Sequence, residues 1–362
     1  MTIRASVIEF HGNLPRSDAQ KGRIAMCRLP SHVLRFVALA IFAMSILPAR
    51  AQEPVVQSYV FYVPTVDKVS IHVHRKAGAE PKKVPVLLIH GWGGNGETWD
   101  FPGRSVMDYL AVRGYDVYAL DLRGTGLSDH PTNYFTIDII NRANDAVAVA
   151  QYIAQKTGRV PVVMGWSQGG VIAGLLAASD PRLAAGVGLL SVAPDGFSIP
   201  PDVASQVPAI VASGIDRLLL PPQITFELYF GTDPITGQPT ISSDAFKIFV
   251  SPRFLEADSL NAVLEGASPN FFNAYLISAW PKIRVPALVV DGALDVLVGP
   301  ARAQALFDSL TASANKQFVI FPRNSHAWFL EDNYHATVRV FDQFLSQFDA
   351  GPGGELSHNF AK

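Results

Sequence analysis

The stretch that decides the fold is residues 160–178, whose sequence is VPVVMGWSQGGVIAGLLAA. Residues 160–164 are apolar and rich in β-branched side chains, which predicts a buried strand. Small and apolar residues over 171–178 predict a helix. A Gly-x-Ser-x-Gly turn centred on Ser167 joins the two. In a strand–turn–helix context this pentapeptide presents a reactive serine hydroxyl, so Ser167 is a candidate nucleophile. The alternative is a glycine-rich turn with an incidental serine.

Strand and helix patterns alternate on both sides of this stretch. Such alternation predicts a mostly parallel sheet with helices on both faces, and the first two strands have the pattern of an antiparallel edge hairpin. The predicted strands are 57–63, 68–74, 86–89, 115–120, 186–192, 287–290 and 318–321. The predicted helices are 104–113, a long helix capped by Thr136 and ending at Lys156, 301–310 and 335–348.

The alternation is interrupted between residues 197 and 279. This segment contains many prolines and short helical patterns at 202–212, 244–250 and 255–264. We interpret 197–279 as a helical cap inserted over the carboxyl edge of the sheet, where open α/β sheets bind their ligands. The core is then 52–196 plus 280–349, and the Gly-rich tail 350–362 is expected to be flexible.

The N-terminal region has the pattern of a secretory signal. Arg28 and Arg35 precede an apolar run over 36–47, and residues 48–51 offer a small-x-small cleavage site. The run is short for a membrane span. We therefore expect residues 1–51 to be removed and the protein to be periplasmic or secreted, with no stable membrane span after cleavage. An uncleaved N-terminal anchor is the alternative.

Composition excludes several classes of function for the mature chain. Met26 is a possible translation start, and the mature chain would begin at about Gln52. It would hold 22 basic and 29 acidic residues, a formal charge of −7, with no basic cluster of the kind that binds nucleic acid. Cys27 is the only cysteine and lies in the removable region, which excludes thiol chemistry. We predict no cofactor and no metal.

The partners that a serine nucleophile needs follow two later strands. Ser167 requires a base within hydrogen-bonding reach and a third group that orients the base. Asp295 follows the strand at 287–290, and His326 follows the strand at 318–321. The chain order Ser, Asp, His is the one expected when the nucleophile lies on a turn of this type.

Taken together, the sequence resembles the α/β-hydrolase superfamily over about residues 57–348. The resemblance rests on four motifs: His90-Gly-Trp-Gly-Gly94, Asp121-x-Arg-Gly-x-Gly-x-Ser128, the turn at Ser167, and the loops that carry Asp295 and His326. It implies the α/β-hydrolase fold, with a mostly parallel eight-stranded sheet, helices on both faces and an inserted helical cap.

The resemblance also implies a role for each matching residue. Ser167 would be the nucleophile, His326 the general base and then the general acid, and Asp295 the group that orients His326. The backbone N–H groups of Trp92 and Gln168 would form the oxyanion hole.

Two more residues are assigned to the border of the substrate pocket. Trp166 stands where relatives often have a histidine, which bears on the subfamily rather than on the reaction. For His90, which precedes the proposed oxyanion loop, we favour a structural role in holding that loop in shape over a catalytic role.

Other acids and histidines compete for these roles. Asp291 and Asp195 also follow predicted strands and could replace Asp295. His335 falls in a predicted helix and is expected at the surface or in packing. His72 and His74 point the same way from a strand and could share a metal, but no further His or Cys supports a metal site, and we favour a polar strand face.

We therefore expect an exported serine hydrolase that cleaves carboxylic esters of apolar or aromatic substrates through an acyl-enzyme. Apolar and aromatic runs in the cap favour such substrates, unless they only bury the cap. A peptidase or amidase resembling proline iminopeptidases is the alternative, and its amine-binding acid would come from Glu227, Glu256, Asp258 or Glu265. A non-catalytic binding module is a further alternative. Substrate identity and oligomeric state are left open.

Overall fold

An antiparallel hairpin forms one edge of the sheet. The computed structural model describes residues 55–195, 209–210, 212–264 and 277–349. Strand β1 (Gln57–Pro64) pairs with β2 (Ser70–Ala77), and Phe61 lies opposite Val73. β1 is mostly exposed, whereas the middle of β2 is buried against the rest of the sheet. The predicted edge hairpin is confirmed, although β2 begins two residues later than expected.

Parallel strands make up the rest of this eight-stranded sheet. Their bounds are β3 (Pro85–Ile89), β4 (Asp116–Leu120), β5 (Val162–Trp166), β6 (Gly186–Leu190), β9 (Ala287–Gly292) and β10 (Lys316–Phe321). The spatial order is β1-β2-β4-β3-β5-β6-β9-β10, and β2 runs antiparallel to β4. β3, β4, β5, β6 and β9 are buried throughout because both faces of the sheet are covered. The predicted fold class is confirmed.

Helices lie on both faces of the sheet. Leu87 and Ile89 of β3 pack into one apolar cluster, and Val86 and Leu88 pack into a second, as alternation along a strand requires. The helices are α1 (Val106–Ala111), α2 (Ile139–Thr157), α3 (Gln168–Ser179), α4 (Pro222–Tyr229), α5 (Ser243–Phe249), α6 (Leu260–Leu264), α7 (Gly299–Ser309), α8 (Tyr334–Thr337) and α9 (Arg339–Leu345). Side chains of α2, α3 and α7 belong to the first cluster, and those of α1 and α9 to the second.

The start of α2 differs from the prediction. Its N-cap is Asp138, not Thr136, which lies in a preceding 3₁₀ turn. The Asp138 carboxylate accepts a 2.6 Å hydrogen bond from the backbone N–H of Asn141, and the Asn141 side chain accepts one from the N–H of Asp138. This reciprocal capping satisfies two backbone donors, which Thr136 could not do from its position.

Two helix predictions are wrong in their extent. The predicted helix 255–264 contains an extended pair, β8 (Asp258–Ser259), which pairs with β7 (Arg217–Leu218) before α6 begins. The predicted helix 335–348 is divided into α8, α9 and a 3₁₀ turn. At that break the Thr337 hydroxyl donates to the carbonyl oxygens of Trp328 and Tyr334, which competes with regular helical bonding.

Between β6 and β9 the structure places β7, β8 and helices α4 to α6, with α5 close to the predicted helix at 244–250. The predicted helix at 202–212 lies mostly outside the described residues, as do the signal region 1–51 and the tail 350–362. The division into core and cap at 197 and 279 therefore stays a prediction. Over the residues that the structure describes, every helix is too short or too polar to cross a membrane.

Candidate active site

Ser167 lies at the junction of β5 and α3 in a sparsely populated backbone conformation, with φ 57° and ψ −123°. Conformations of this kind cost about 1–3 kcal/mol and persist only where the surroundings enforce them. The Ser167 N–H donates to the Leu190 carbonyl at 2.8 Å, and its own carbonyl accepts from the N–H groups of Gly170 and Val171. The hydroxyl makes no capping bond to the helix. The turn therefore holds a serine side chain at the N-terminus of α3 without using its hydroxyl for capping.

The two glycines of the motif permit this turn because they let the backbone of α3 approach the strands closely. A Cβ atom on Gly165 would overlap the backbone of Gly169. A Cβ atom on Gly169 would overlap the carbonyl groups of Ile89 and His90 at the end of β3. Any side chain at either position would push α3 away from the sheet, so the spacing of the motif is a packing requirement.

His326 and Asp295 meet at the carboxyl edge of the sheet. The Nδ1 atom of His326 lies 2.7 Å from Oδ2 of Asp295, and both side chains are fully buried. The other Asp295 oxygen accepts from the backbone N–H groups of Leu297 and Val298, at 2.7 and 3.0 Å. Burial opposes ionisation of Asp295, but the charge and hydrogen bond of His326 outweigh it and hold the pKa of Asp295 below its ordinary value. The carboxylate thus fixes the ring and its tautomer.

The far nitrogen of this histidine is available. Among the described residues, His326 Nε2 is buried and has no hydrogen-bond partner. The backbone beside it is fixed, because the His326 carbonyl accepts from Trp166 Nε1 at 2.9 Å and from the Ser191 hydroxyl at 2.8 Å. Trp166 directly precedes Ser167, so the histidine loop is fastened to the strand that carries the serine. An oriented imidazole with a free Nε2 is what a general base requires.

The loop after β3 packs directly against the serine turn. A Cβ on Gly91 would lie 3.1 Å from the Cβ of Ser167. The backbone N–H groups of Trp92 and Gln168 donate no hydrogen bond to any described residue. Two free donors beside a serine are the requirement for an oxyanion hole.

Sequence comparison decides the family. A profile described as the alpha/beta hydrolase family matches residues 86–340, a range that includes the loop after β3, the serine turn and both partner loops. The chain belongs to the alpha/beta hydrolase family.

Several curated relatives of this alpha/beta hydrolase are esterases by name. The pimeloyl-acyl-carrier-protein methyl ester esterase of Vibrio campbellii (strain ATCC BAA-1116) is 25% identical over 255 residues, which cover 70% of this chain and 92% of the relative. The enzyme of the same name from Yersinia enterocolitica is 26% identical over 251 residues, or 68% and 87% of the two chains.

Solved structures share the fold at lower identity. A thermophilic esterase from Thermogutta terrifontis superposes with a TM-score of 0.58 and 16% identity, and the match covers 81% of this chain and 100% of that one. The enol-lactonase from Burkholderia xenovorans LB400 gives a TM-score of 0.56 with 18% identity, over 79% and 100% of the two chains.

A fully buried ion pair reinforces the loop after β3 in this alpha/beta hydrolase. Asp258 of β8 and Arg142 of α2 are paired with no exposure of either side chain. Asp258 Oδ2 also accepts from the backbone N–H of Gly93 at 2.9 Å. Arg142 in turn donates to the Gln168 side chain at 2.6 Å, and Gln168 Nε2 donates to the Ala262 carbonyl at 2.9 Å. One charge pair therefore holds both the loop and the first residue of α3.

Sequence reasoning missed the role of Arg142. The residue lies three positions after Ile139 and four before Ala146, both in the apolar stripe of α2. An arginine inside an apolar helical stripe indicates a buried partner, and this signal was present in the sequence. The partner itself is 116 positions away, where spacing carries no information.

Aromatic contacts connect the cap segment to the histidine. The Tyr229 ring stacks on the His326 ring with centroids 5.5 Å apart and planes at 25°. Its hydroxyl donates to the Trp92 carbonyl at 3.2 Å. Trp92 Nε1 donates to the Ser259 carbonyl at 2.9 Å. Tyr229 thus contacts both the histidine and the oxyanion loop.

His90 lies beneath the oxyanion loop and is fully buried. Its Nδ1 is 2.7 Å from the Gly91 carbonyl, and its Nε2 accepts from the Leu122 N–H at 3.0 Å. Burial lowers the pKa of His90, so the ring is neutral, with its proton on Nδ1. These contacts favour the loop-holding alternative for His90. Trp166 is also buried, between His326 and Phe329.

The competing acids occupy other positions. Asp195 pairs with Arg302 and makes no hydrogen bond to His326. Asp291 is fully buried at the end of β9, and the histidine bonds to Asp295 instead.

The other histidines considered from the sequence, His335, His72 and His74, contact groups outside the serine turn. His335 is exposed on α8 and contacts the Tyr334 ring. His72 Nδ1 is 2.9 Å from Asp121, and His74 Nε2 is 2.8 Å from the Ser58 hydroxyl. Over the part of the chain that the structure describes, no cluster of three or more metal-ligating side chains is present.

Proposed function

We propose that the protein is a serine hydrolase that cleaves carboxylic esters through an acyl-enzyme formed on Ser167. The observation that carries the proposal is the 2.7 Å contact between His326 and Asp295, with Nε2 of the histidine left free and the His326 carbonyl bonded to Trp166, the residue before Ser167. Esterase names among the curated relatives support the ester bond as the target.

The proposed reaction has two halves. His326 Nε2 takes the hydroxyl proton as Ser167 attacks the ester carbonyl, and then gives that proton to the leaving alcohol. Water next attacks the acyl-enzyme: His326 takes a proton from the water and returns it to the Ser167 oxygen as the bond to the acyl group breaks and the carboxylic acid leaves. Asp295 stabilises the imidazolium that forms in each half without taking its proton. In both halves the negative oxygen is bound by the N–H groups of Trp92 and Gln168, and such a donor contributes about 2.7–4 kcal/mol to transition-state stabilisation.

The described acids of the cap segment favour an ester over a peptide substrate. A peptidase that binds a free amine needs an unpaired carboxylate near the serine. Asp258 is paired with Arg142, and Glu256 accepts from the Asn95 side chain and the Gly126 N–H. Glu227 is exposed and bonded to Gln223. Glu265 lies outside the described residues.

Aromatic groups support an apolar or aromatic substrate. Tyr229 and Trp166 both pack against His326. By contrast, Phe226, Phe230 and Phe246 pack on one another, which supports a packing role for that run.

A panel of nitrophenyl esters and aminoacyl-nitroanilides tests the proposal on purified protein. We expect turnover of the esters that Ser167→Ala abolishes, with little turnover of the anilides. Faster cleavage of the anilides would support the peptidase alternative. Tight ligand binding without any turnover would support the binding module.

We also propose export, on the signal pattern of residues 1–51. Expression of the full chain in a bacterial host, followed by N-terminal sequencing, tests it. We expect a periplasmic or secreted product that begins at about Gln52. An intact N-terminus in the cytoplasm would contradict export.

A further inference from the structure

A second carboxyl group lies behind the pair formed by Asp295 and His326. Asp291, the penultimate residue of β9, has no exposed surface. Among the described residues neither of its oxygens has a hydrogen-bond donor. A buried carboxylate without donors is among the costliest groups that a protein can hold, so this side chain needs an explanation.

The polar side chains nearest to Asp291 do not donate a hydrogen bond to its carboxyl oxygens. Asp295, on the loop after β9, is within hydrogen-bonding reach of Asp291, but as a carboxylate it is also an acceptor. The Ser191 hydroxyl, after β6, also lies within reach but donates to the His326 carbonyl. β10 places Ile320 opposite Asp291. The His326 ring bonds to Asp295 and makes no hydrogen bond to Asp291.

Two acceptors in contact are stable only when a proton lies between them. The three donors of Asp295, the N–H groups of Leu297 and Val298 and the His326 ring, favour its ionised form. Asp291 has no well-aligned donor among the described residues, and burial together with the charge of Asp295 outweighs the nearby Gly292 N–H and Ser191 hydroxyl, which favour its ionised form. The proton therefore belongs to Asp291.

We propose that Asp291 is a neutral carboxylic acid at neutral pH that donates its proton to Asp295, so that Asp291, Asp295 and His326 form one hydrogen-bonded chain. Burial, followed by the charge of Asp295, raises the pKa of Asp291 far above its ordinary value, in agreement with the geometry. Asp291 is then a positioning residue that acts through Asp295. Its donated hydrogen bond withdraws charge from Asp295 and lessens the stabilisation of the protonated imidazole.

Infrared difference spectroscopy of the whole protein tests the proton directly. A protonated carboxyl has a C=O stretch well separated from that of a carboxylate. We expect the spectrum of the unmodified protein minus that of Asp291→Asn at pH 7.5 to show a protonated-carboxyl band that shifts in deuterium oxide. A band in the carboxylate region instead would overturn the proposal. This measurement needs no substrate, so it stays decisive even if the proposed hydrolase activity fails.

Kinetics test the role, which rests on the proposed function. Asp291→Asn keeps an N–H donor toward Asp295, whereas Asp291→Leu removes it. We expect the acid limb of the kcat/KM profile to move to higher pH in Asp291→Leu and to stay near its original position in Asp291→Asn. Asp195→Asn is the matched control, because Asp195 does not contact the chain of three groups. An unmoved limb in both variants, or equal shifts in both, would overturn the positioning role.

Stability gives a third, independent readout. When the pKa of an acid is higher in the folded state than in the unfolded state, its proton stabilises the fold. This stabilisation is complete below the unfolded pKa and is lost as the pH rises through the folded pKa. We expect the melting temperature of the unmodified protein to fall between pH 6.5 and 9, and to fall less in Asp291→Asn. Parallel curves would count against a buried proton on Asp291.

Discussion

The Asp258 carboxylate accepts a 2.9 Å hydrogen bond from the backbone N–H of Gly93, one residue after the proposed oxyanion donor Trp92. The Gly93 carbonyl also accepts from the N–H of Glu256 at 2.8 Å. Gly93 is thus held on both of its backbone polar groups by the segment between β6 and β9. The N–H of Trp92 itself has no acceptor among the described residues.

Removal of the Asp258 charge is expected to weaken both the fold and the reaction. Asp258→Asn leaves Arg142 buried without a carboxylate, which should lower the free energy of unfolding by about 3–5 kcal/mol. It also weakens a bond to a charged group at Gly93, so we expect kcat to fall about tenfold. Urea denaturation and ester kinetics check the two effects.

The matched control for that variant is an exposed ion pair. Glu97→Gln breaks the ion pair with Arg253. The Glu97 side chain is 33% exposed and the Arg253 side chain is 60% exposed. We expect a change of about 0–1 kcal/mol and unchanged kcat. A loss at Asp258 no larger than the loss at Glu97 would refute the role assigned to the buried pair.

Loss of the Asp295 charge should damage kcat far more than KM. In Asp295→Asn an amide can donate to His326 Nδ1 and place the ring proton on Nε2, the nitrogen that must accept from Ser167. For this reason we expect kcat to fall by about four orders of magnitude. Steady-state kinetics on a nitrophenyl ester check it, with Asp195→Asn as the control. Equal losses of kcat in the two variants would show that Asp295 is not the acid that orients His326.

The parts that the sequence predicted share a physical origin. Strands β5, β9 and β10 each end at the same edge of the sheet, so Ser167, Asp295 and His326 could be placed from the strand pattern alone. Most element bounds differ from the prediction by one or two residues, and at the start of α2 the reason is that the cap depends on the local side-chain bonds of Asp138.

The parts that the sequence did not predict depend on distant contacts. Arg142 and Asp258 meet across 116 positions, and β8 is extended where it pairs with β7, a segment about 40 residues earlier in the chain. In the same way, the sequence offers Asp291 only as an alternative to Asp295 for the acid that orients His326. The buried contact between the two carboxyl groups is what points to a different role for Asp291.

Two variants of Tyr229 distinguish the effect of its hydroxyl bond to Trp92 from the effect of its ring on His326. Tyr229→Phe removes the hydroxyl that bonds to the Trp92 carbonyl but keeps the ring on His326. A neutral hydrogen bond contributes about 1 kcal/mol, so we expect kcat to fall about fivefold. Tyr229→Ala also removes the ring and should reduce activity much further. Similar kinetics in the two variants would show that stacking on His326 has no role.

Glu331 should make a contribution to the free energy of unfolding that depends on pH. Its carboxylate accepts from the Ser325 N–H and the Thr240 hydroxyl, and burial raises the pKa of Glu331 to about 6 from 4.5. The stabilising contribution is present below pH 4.5 and is lost as the pH rises through about 6, an amount of about 2 kcal/mol. Unfolding of Glu331→Gln from pH 4 to 7 should lack this loss. A slope that persists unchanged would contradict the assignment.

Covalent labelling of the serine tests the central claim most directly. A fluorophosphonate probe reacts only with a serine that has an oriented base and an oxyanion hole. We predict one probe per molecule, mapped by peptide mass spectrometry to Ser167, with ester hydrolysis lost in proportion to labelling and no labelling of His326→Ala. An unlabelled Ser167 in a protein that still hydrolyses esters would contradict the account.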